Sequence, residues 1–297
     1  MRNHQLDTFR FLLVALVVVG HFIEPLRVAP AARALYGFLY LFHVPALAMV
    51  CGRCSRGRLE LRKNAVRLLL PMLVFQVLYE GRIDSTPCWL LWFLLSLFCW
   101  RLMLLVFRRL PHPIAISVLL ALTAGYWGFG YELSGSRTLV FFPFFLVGHY
   151  DTRWSLSTRQ AVGFLAAAAL FVCVVPFDQR WLYGSYSYAA LGFDQWYAAG
   201  FRLALMTIAL GCSFACLALV PKRETLFSQL GSRTMPIYLL HGLIVLALIR
   251  AGAYASFGMG WFALSFWLTA SIVTVALLST RLTAQVTAPL FLRRLGE

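Results

Sequence analysis

Arg10 and His21 stand eleven residues apart in QLDTFRFLLVALVVVGHFIEP, residues 5–25, an apolar run of helix length. Eleven steps of 100° bring them to nearly the same helix face, roughly 16 Å apart along the axis. Asp7 precedes Arg10 by three residues and Glu24 follows His21 by three, so each forms a same-face pair. The pattern is one ionisable stripe on a membrane-length hydrophobic helix. Ionisable groups in a bilayer are costly, so they turn towards a bundle interior or a wet cavity. A histidine beside a carboxylate is an oriented imidazole that can take a proton from a hydroxyl. The spacing therefore predicts a catalytic pair, His21 and Glu24, with His21 about halfway through its span.

A second histidine, His43, sits in LFHVP at a similar expected depth, two residues before Pro45. A proline inside a span frees a backbone carbonyl and bends the helix, often where a cavity needs shaping. The order of the two spans places His21 and His43 on neighbouring antiparallel helices facing one cavity. Residues 51–71, CGRCSRGRLELRKNAVRLLLP, crowd Arg53, Arg56, Arg58, Arg62 and Lys63 together and carry Arg67 into the next apolar run. Guanidinium groups at that depth suit a phosphate-bearing ligand. Cys51 and Cys54 form a CxxC with no second pair, which argues against a metal site. No Walker loop, HExxH or GxSxG is present, which argues against ATP hydrolysis and the common hydrolases.

The elements that must hold these residues follow from composition. Of 297 residues, 61% are hydrophobic and 12% charged, and the mean hydropathy is +0.78. A soluble domain carries about twice that charge fraction. The expected fold is all-α: a polytopic membrane helix bundle in a single domain, 1–297. About ten spans are expected, near 11–29, 34–51, 64–80, 88–107, 112–130, 138–150, 160–177, 198–220, 235–250 and 260–280. The first is read as an uncleaved span, because Asp7 interrupts a signal peptide's basic start.

The net charge of +15 is read as topology rather than as nucleic-acid binding, because the basic residues lie between apolar runs. With a cytoplasmic N-terminus, 18 basic residues fall on the cytoplasmic side, Arg2, Arg58, Arg153, Arg293 and Arg294 among them, and 7 on the other. The bias predicts both termini inside and the aromatic loop 178–197 outside.

These segments resemble the type-3 membrane acyltransferase family, especially its fucose 4-O-acetylase-like branch. LDTFRFLLVALVVVGHF, LFHVPALAMVCG, RKNAVRLLLP, WFLLSLFCWRL, FFPFFLVGHY, WLYGSYSY and SRTMPIYLLHGLI follow the family's order over residues 6–245. The resemblance implies a ten-helix enzyme that moves an acyl group, usually acetyl from cytoplasmic acetyl-CoA, onto a hydroxyl of a sugar or glycan. It implies no metal and a location in the bacterial plasma membrane. His21 falls on the family's catalytic histidine, Arg10 on its paired arginine and His43 on its FHxP motif. Arg62 and Arg67 approximate its basic positions, and His241 falls in its closing YLLHG-type motif. Arg10, Arg62, Arg67 and His241 are thus the expected donor-binding residues. One departure is that Cys51-Gly52-Arg53-Cys54 replaces the usual Ser-Gly-Tyr-Phe, keeping only the backbone turn expected at Gly52. A secondary transporter of a polar lipid or sugar would also need polar residues at mid-membrane, but it predicts inverted repeats that the sequence does not display.

Overall fold

The computed structural model describes residues 3–57, 60–128, 130, 132–151, 156–193 and 195–288. Arg2, Arg58, Arg153, Arg293 and Arg294 lie outside the described residues. The described chain is helical, with no strand. Its helices are α1 (His4–Ile23), α2 (Pro30–Arg53), α3 (Leu61–Glu80), α4 (Trp92–Phe107), α5 (Pro113–Thr123) and α6 (Gly135–His149). They continue as α7 (Thr158–Val174), α8 (Ala198–Leu219), α9 (Leu226–Leu230), α10 (Thr234–Arg250), α11 (Trp261–Leu278) and α12 (Arg281–Thr287).

A helix stands at each of the ten expected places, but among the described residues only six helical stretches are long and apolar enough to cross a membrane. These are His4–Leu26, Pro30–Arg53, Trp89–Phe107, Ala198–Leu219, Leu226–Arg250 and Trp261–Leu278. α3 has the length but carries Arg62, Lys63, Arg67 and Glu80. α5, α6 and α7 have 11, 15 and 17 residues. At 1.5 Å per residue they fall short of a hydrocarbon core of about 30 Å.

α1 begins seven residues earlier than expected. The Asn3 side chain caps it by accepting from the Leu6 amide, and Gln5 donates to the carbonyls of Leu217 and Val220 at 3.0 and 3.1 Å. Its α-helical part stops at Ile23, ahead of Pro25, which lacks an amide hydrogen and would crowd the carbonyl of His21. A 3₁₀ turn, Glu24–Leu26, follows. His21 is therefore in the last turn of α1, not halfway along it. His43 is near the middle of α2, which runs through Pro45 without interruption.

The backbone divides into two compact units. The first comprises residues 1–43, 156–175 and 215–297. Within it α1 packs against α9, α10 and α11. Thr8 and Thr225 share a hydroxyl hydrogen bond at 2.9 Å, and the Phe11 and Phe227 rings stack at 5.4 Å. Gly231 lies directly on the Asp7 backbone, where an added Cβ would come within 2.6 Å of the Asp7 carbonyl oxygen. Further along, His21 meets His241. From Asp7–Gly231, just before α10, to His21–His241 within it, both numbers rise, so α1 and α10 run parallel. α11 runs the opposite way: its early residue Trp267 packs on Phe22, and Ser279 just beyond its end accepts from Arg233 at 3.1 Å.

The second unit comprises residues 44–155 and 176–214. Lipid is as apolar as leucine, so helices in a membrane associate through close packing and small residues. Here Gly52 of α2 and Gly148 of α6 each press on the other helix's backbone. A Cβ on Gly52 would overlap the Phe145 carbonyl oxygen, and one on Gly148 would overlap that of Met49. Gly52 thus serves close approach inside a helix, not the turn expected of it. The 178–197 loop is tied down by polar bonds. Ser136 donates to the Gly184 carbonyl at 2.7 Å, Arg202 to that of Tyr186 at 3.0 Å, and the Tyr188 hydroxyl to that of Leu122 at 2.9 Å. Burial pushes the Tyr188 phenol up to about 12, against the opposing pull of the Arg202 guanidinium.

Candidate active site

Three imidazoles of the first unit, those of His21, His43 and His241, lie in one group joined through His21 and Tyr40. His21, His43 and His241 are 8%, 2% and 0% exposed. The His21 and His241 rings stack with centroids 5.4 Å apart and 27° between their planes. Tyr40, one turn before His43 on α2, touches two of the three. Its hydroxyl is 3.5 Å from His21 Nδ1, and its ring meets the His43 ring edge-on at 4.7 Å. The structure thus brings His21 and His43 to one tyrosine, and it adds His241, expected at the donor, directly to His21.

The hydrogen bonds fix the tautomers. His43 Nδ1 lies 2.6 Å from the Leu39 carbonyl and His241 Nδ1 lies 2.9 Å from that of Ile237. A carbonyl only accepts, so both nitrogens carry hydrogen and both rings keep a lone pair on Nε2. His241 Nε2 is buried with no hydrogen-bond partner. His21 Nδ1 is 3.2 Å from Glu24 Oε2, the expected i,i+3 pair. A carboxylate also only accepts, which leaves His21 Nε2 as the basic nitrogen.

Two contributors escaped the sequence. Arg27 lies 3.7 Å from Glu24 Oε1 and donates through Nε to the Glu24 carbonyl at 3.0 Å. Its guanidinium sits 4.8 Å above the Tyr36 ring, and Tyr36 stacks on Tyr40 at 3.9 Å. Arg27 was visible only as Glu24-Pro25-Leu26-Arg27, one more i,i+3 spacing. Tyr40 was visible only as a residue three before His43 on the same face of α2.

Arg10 lies earlier on α1 and pairs with Asp7 at 2.8 Å, as its spacing predicts. Its Nε is buried and has no hydrogen-bond partner. Arg62 and Arg67 belong to the second unit, where both are exposed on α3. Two other arginines of the basic segment are held internally. Arg53 and Arg56 converge on Asp151, Arg56 at 3.1 Å, and Arg56 also donates to the His149 carbonyl at 2.9 Å. Arg101 donates to Asn64 and Ser55. Cys51 and Cys54 are not joined by a disulfide. Among the described residues no group of three or more His, Cys, Asp or Glu is placed to hold a metal ion.

Comparison with family models, with curated proteins and with solved structures returned no match.

Proposed function

We propose that the chain is a membrane-embedded O-acyltransferase that moves an acyl group, acetyl in the simplest case, from cytoplasmic acyl-CoA to a hydroxyl of a sugar or glycan. The observation that carries this reading is the 3.2 Å contact between His21 Nδ1 and Glu24, in a nearly buried site stacked against His241. The carboxylate holds the ring with its hydrogen on Nδ1, so Nε2 is the nitrogen that acts as general base. In the reaction, Nε2 takes the acceptor hydroxyl's proton as the oxygen forms a bond to the thioester carbonyl carbon. The tetrahedral intermediate collapses by breaking the carbon–sulfur bond. The proton returns from His21 to the departing thiolate, giving the ester and free CoA thiol.

His43 is assigned to positioning the thioester or the acceptor. Arg10 suits an anion through its unpartnered Nε, and Arg62 and Arg67 are assigned to the donor's phosphates by their charge alone. With the N-terminus cytoplasmic, ten crossings of a bacterial plasma membrane and both termini inside, the last turn of α1 lies towards the outer face. This suits an acceptor that arrives from outside.

The test is acyl transfer from radiolabelled acetyl-CoA to a panel of glycans by purified protein, wild type against His21→Ala. The expected outcome is transfer by the wild type and a loss of about 10²–10⁴-fold in a folded His21→Ala variant. A variant that keeps more than half the wild-type rate excludes His21 as the base. Absence of transfer and of acetyl-CoA hydrolysis by the wild type, with uptake of a polar solute in vesicles, would favour a transporter.

A further inference from the structure

We infer that Tyr40 is a positioning residue for His21: its hydroxyl is a second acceptor for the Nδ1 hydrogen, acting alongside Glu24 to keep Nε2 basic. The inference rests on the acyltransferase reading for its catalytic meaning, but not for its geometry.

Two contacts fix the ring, and a third holds the tyrosine that covers it. A Cβ on Gly20 would lie 3.0 Å from Tyr40 Cε2, so the ring is seated on the α1 backbone one residue before His21. Tyr36, fully buried, covers Tyr40 with centroids 3.9 Å apart and planes 23° apart. Tyr36 in turn lies beneath the Arg27 guanidinium. Held this way, the Tyr40 hydroxyl stands 3.5 Å from His21 Nδ1 while Glu24 Oε2 stands 3.2 Å from the same atom. One hydrogen shared between two acceptors is a three-centre bond, and each arm is long for a full hydrogen bond.

The need for two acceptors follows from Glu24. Its other oxygen faces Arg27, so the carboxylate is divided between a cation and the imidazole. A carboxylate that swings towards Arg27 would release the Nδ1 hydrogen. The ring could then exchange tautomers and lose its base at Nε2. A phenol held by packing does not swing. Tyr40 therefore covers the interval in which Glu24 is turned away, and its edge-on contact transmits the same constraint to His43.

The experiment uses the full chain in bilayers, labelled with ¹⁵N-histidine, and reads the His21 tautomer by solid-state NMR. The His21 signals are assigned by their loss in His21→Asn. Wild type, Tyr40→Phe, Glu24→Gln and the double variant are compared, with acyl transfer measured in parallel. The inference expects hydrogen on Nδ1 in the wild type, a mixture in each single variant and mainly Nε2–H in the double variant. For transfer it expects Tyr40→Phe to lower kcat about tenfold with both KM values within twofold, and the double variant to lose more than the product of the singles. A Gly20→Ala variant, which displaces the ring but keeps the hydroxyl, should fall between wild type and Tyr40→Phe. A double variant whose His21 spectrum equals that of Glu24→Gln overturns the inference, whatever the activity shows. A wild type without acyl transfer overturns the acyltransferase reading and leaves the tautomer result to decide the role of Tyr40.

Discussion

The His241 imidazole lies against that of His21, 5.4 Å between centroids, although the two residues come from opposite ends of the sequence. His21 is oriented by a carboxylate one turn away on its own helix, and His241 by the carbonyl of Ile237 one turn back. Each ring is set by its own helix, and the packing of α1 on α10 brings the two together.

That pairing separates two roles for His241. His241→Phe keeps a stacked ring and removes the buried Nε2. We expect a folded protein with transfer reduced roughly tenfold, equivalent to about 1.4 kcal/mol. Steady-state kinetics with thermal unfolding in detergent measures both. Unchanged kinetics in His241→Phe would make the residue a packing element only.

For Arg67, exposed on α3, the expected effect of Arg67→Ala is on donor binding. A phosphate contact is similar in ground and transition states, so donor KM should rise with kcat retained at saturating donor. Losing a hydrogen bond to a charged group costs about 1.5–3 kcal/mol, so a rise of ten- to a hundredfold is expected. A reduced kcat with an unchanged donor KM would remove Arg67 from the donor site.

Gly52→Ala should destabilise the fold far more than its one methyl suggests. The new Cβ would overlap the Phe145 carbonyl, so α2 and α6 must separate. A cost of about 1–3 kcal/mol is expected, seen as a lower midpoint of thermal unfolding. Gly57→Ala is the control, because its Cβ meets nothing within 4 Å. Equal midpoints for the two variants would show that the contact does not hold the helices together.

Topology can be read by cysteine labelling in a background from which all seven native cysteines are removed. The 18-to-7 basic split predicts that Ala190→Cys is labelled by an impermeant reagent on intact cells and that Lys222→Cys is protected. Both positions are exposed, whereas Ser185 on the same loop as Ala190 is 1% exposed and would report burial instead. The reverse labelling pattern would invert the orientation.

How much of this the sequence displayed depends on distance along the chain. The Asp7–Arg10 and His21–Glu24 pairs were legible because i,i+3 spacing is geometry within one helix. The start of α1 was not, because it depends on Gln5 reaching the carbonyls of Leu217 and Val220. The start at His4 and the stop at Ile23 ahead of Pro25 together put His21 in the last turn rather than at the expected midpoint. Likewise nothing local marks Asp151 as the partner of Arg53 and Arg56, so the basic segment read as uniform charge. Hydropathy also cannot tell a full span from a shorter apolar helix such as α5, and so ten places are expected where, among the described residues, six helical stretches have the reach.

The parallel course of α1 and α10 has an arithmetical consequence. Two helices that point the same way through a membrane can be joined only by a connection that crosses it an odd number of times. Between them, the six long apolar stretches contribute three crossings, and the ten expected spans contribute seven. Both numbers are odd, so parity allows either and forbids any assignment that adds or removes a single crossing there. α11 then returns antiparallel to α10, which brings its end to the face where α1 begins. Shorter helices can therefore be counted in or out only in pairs.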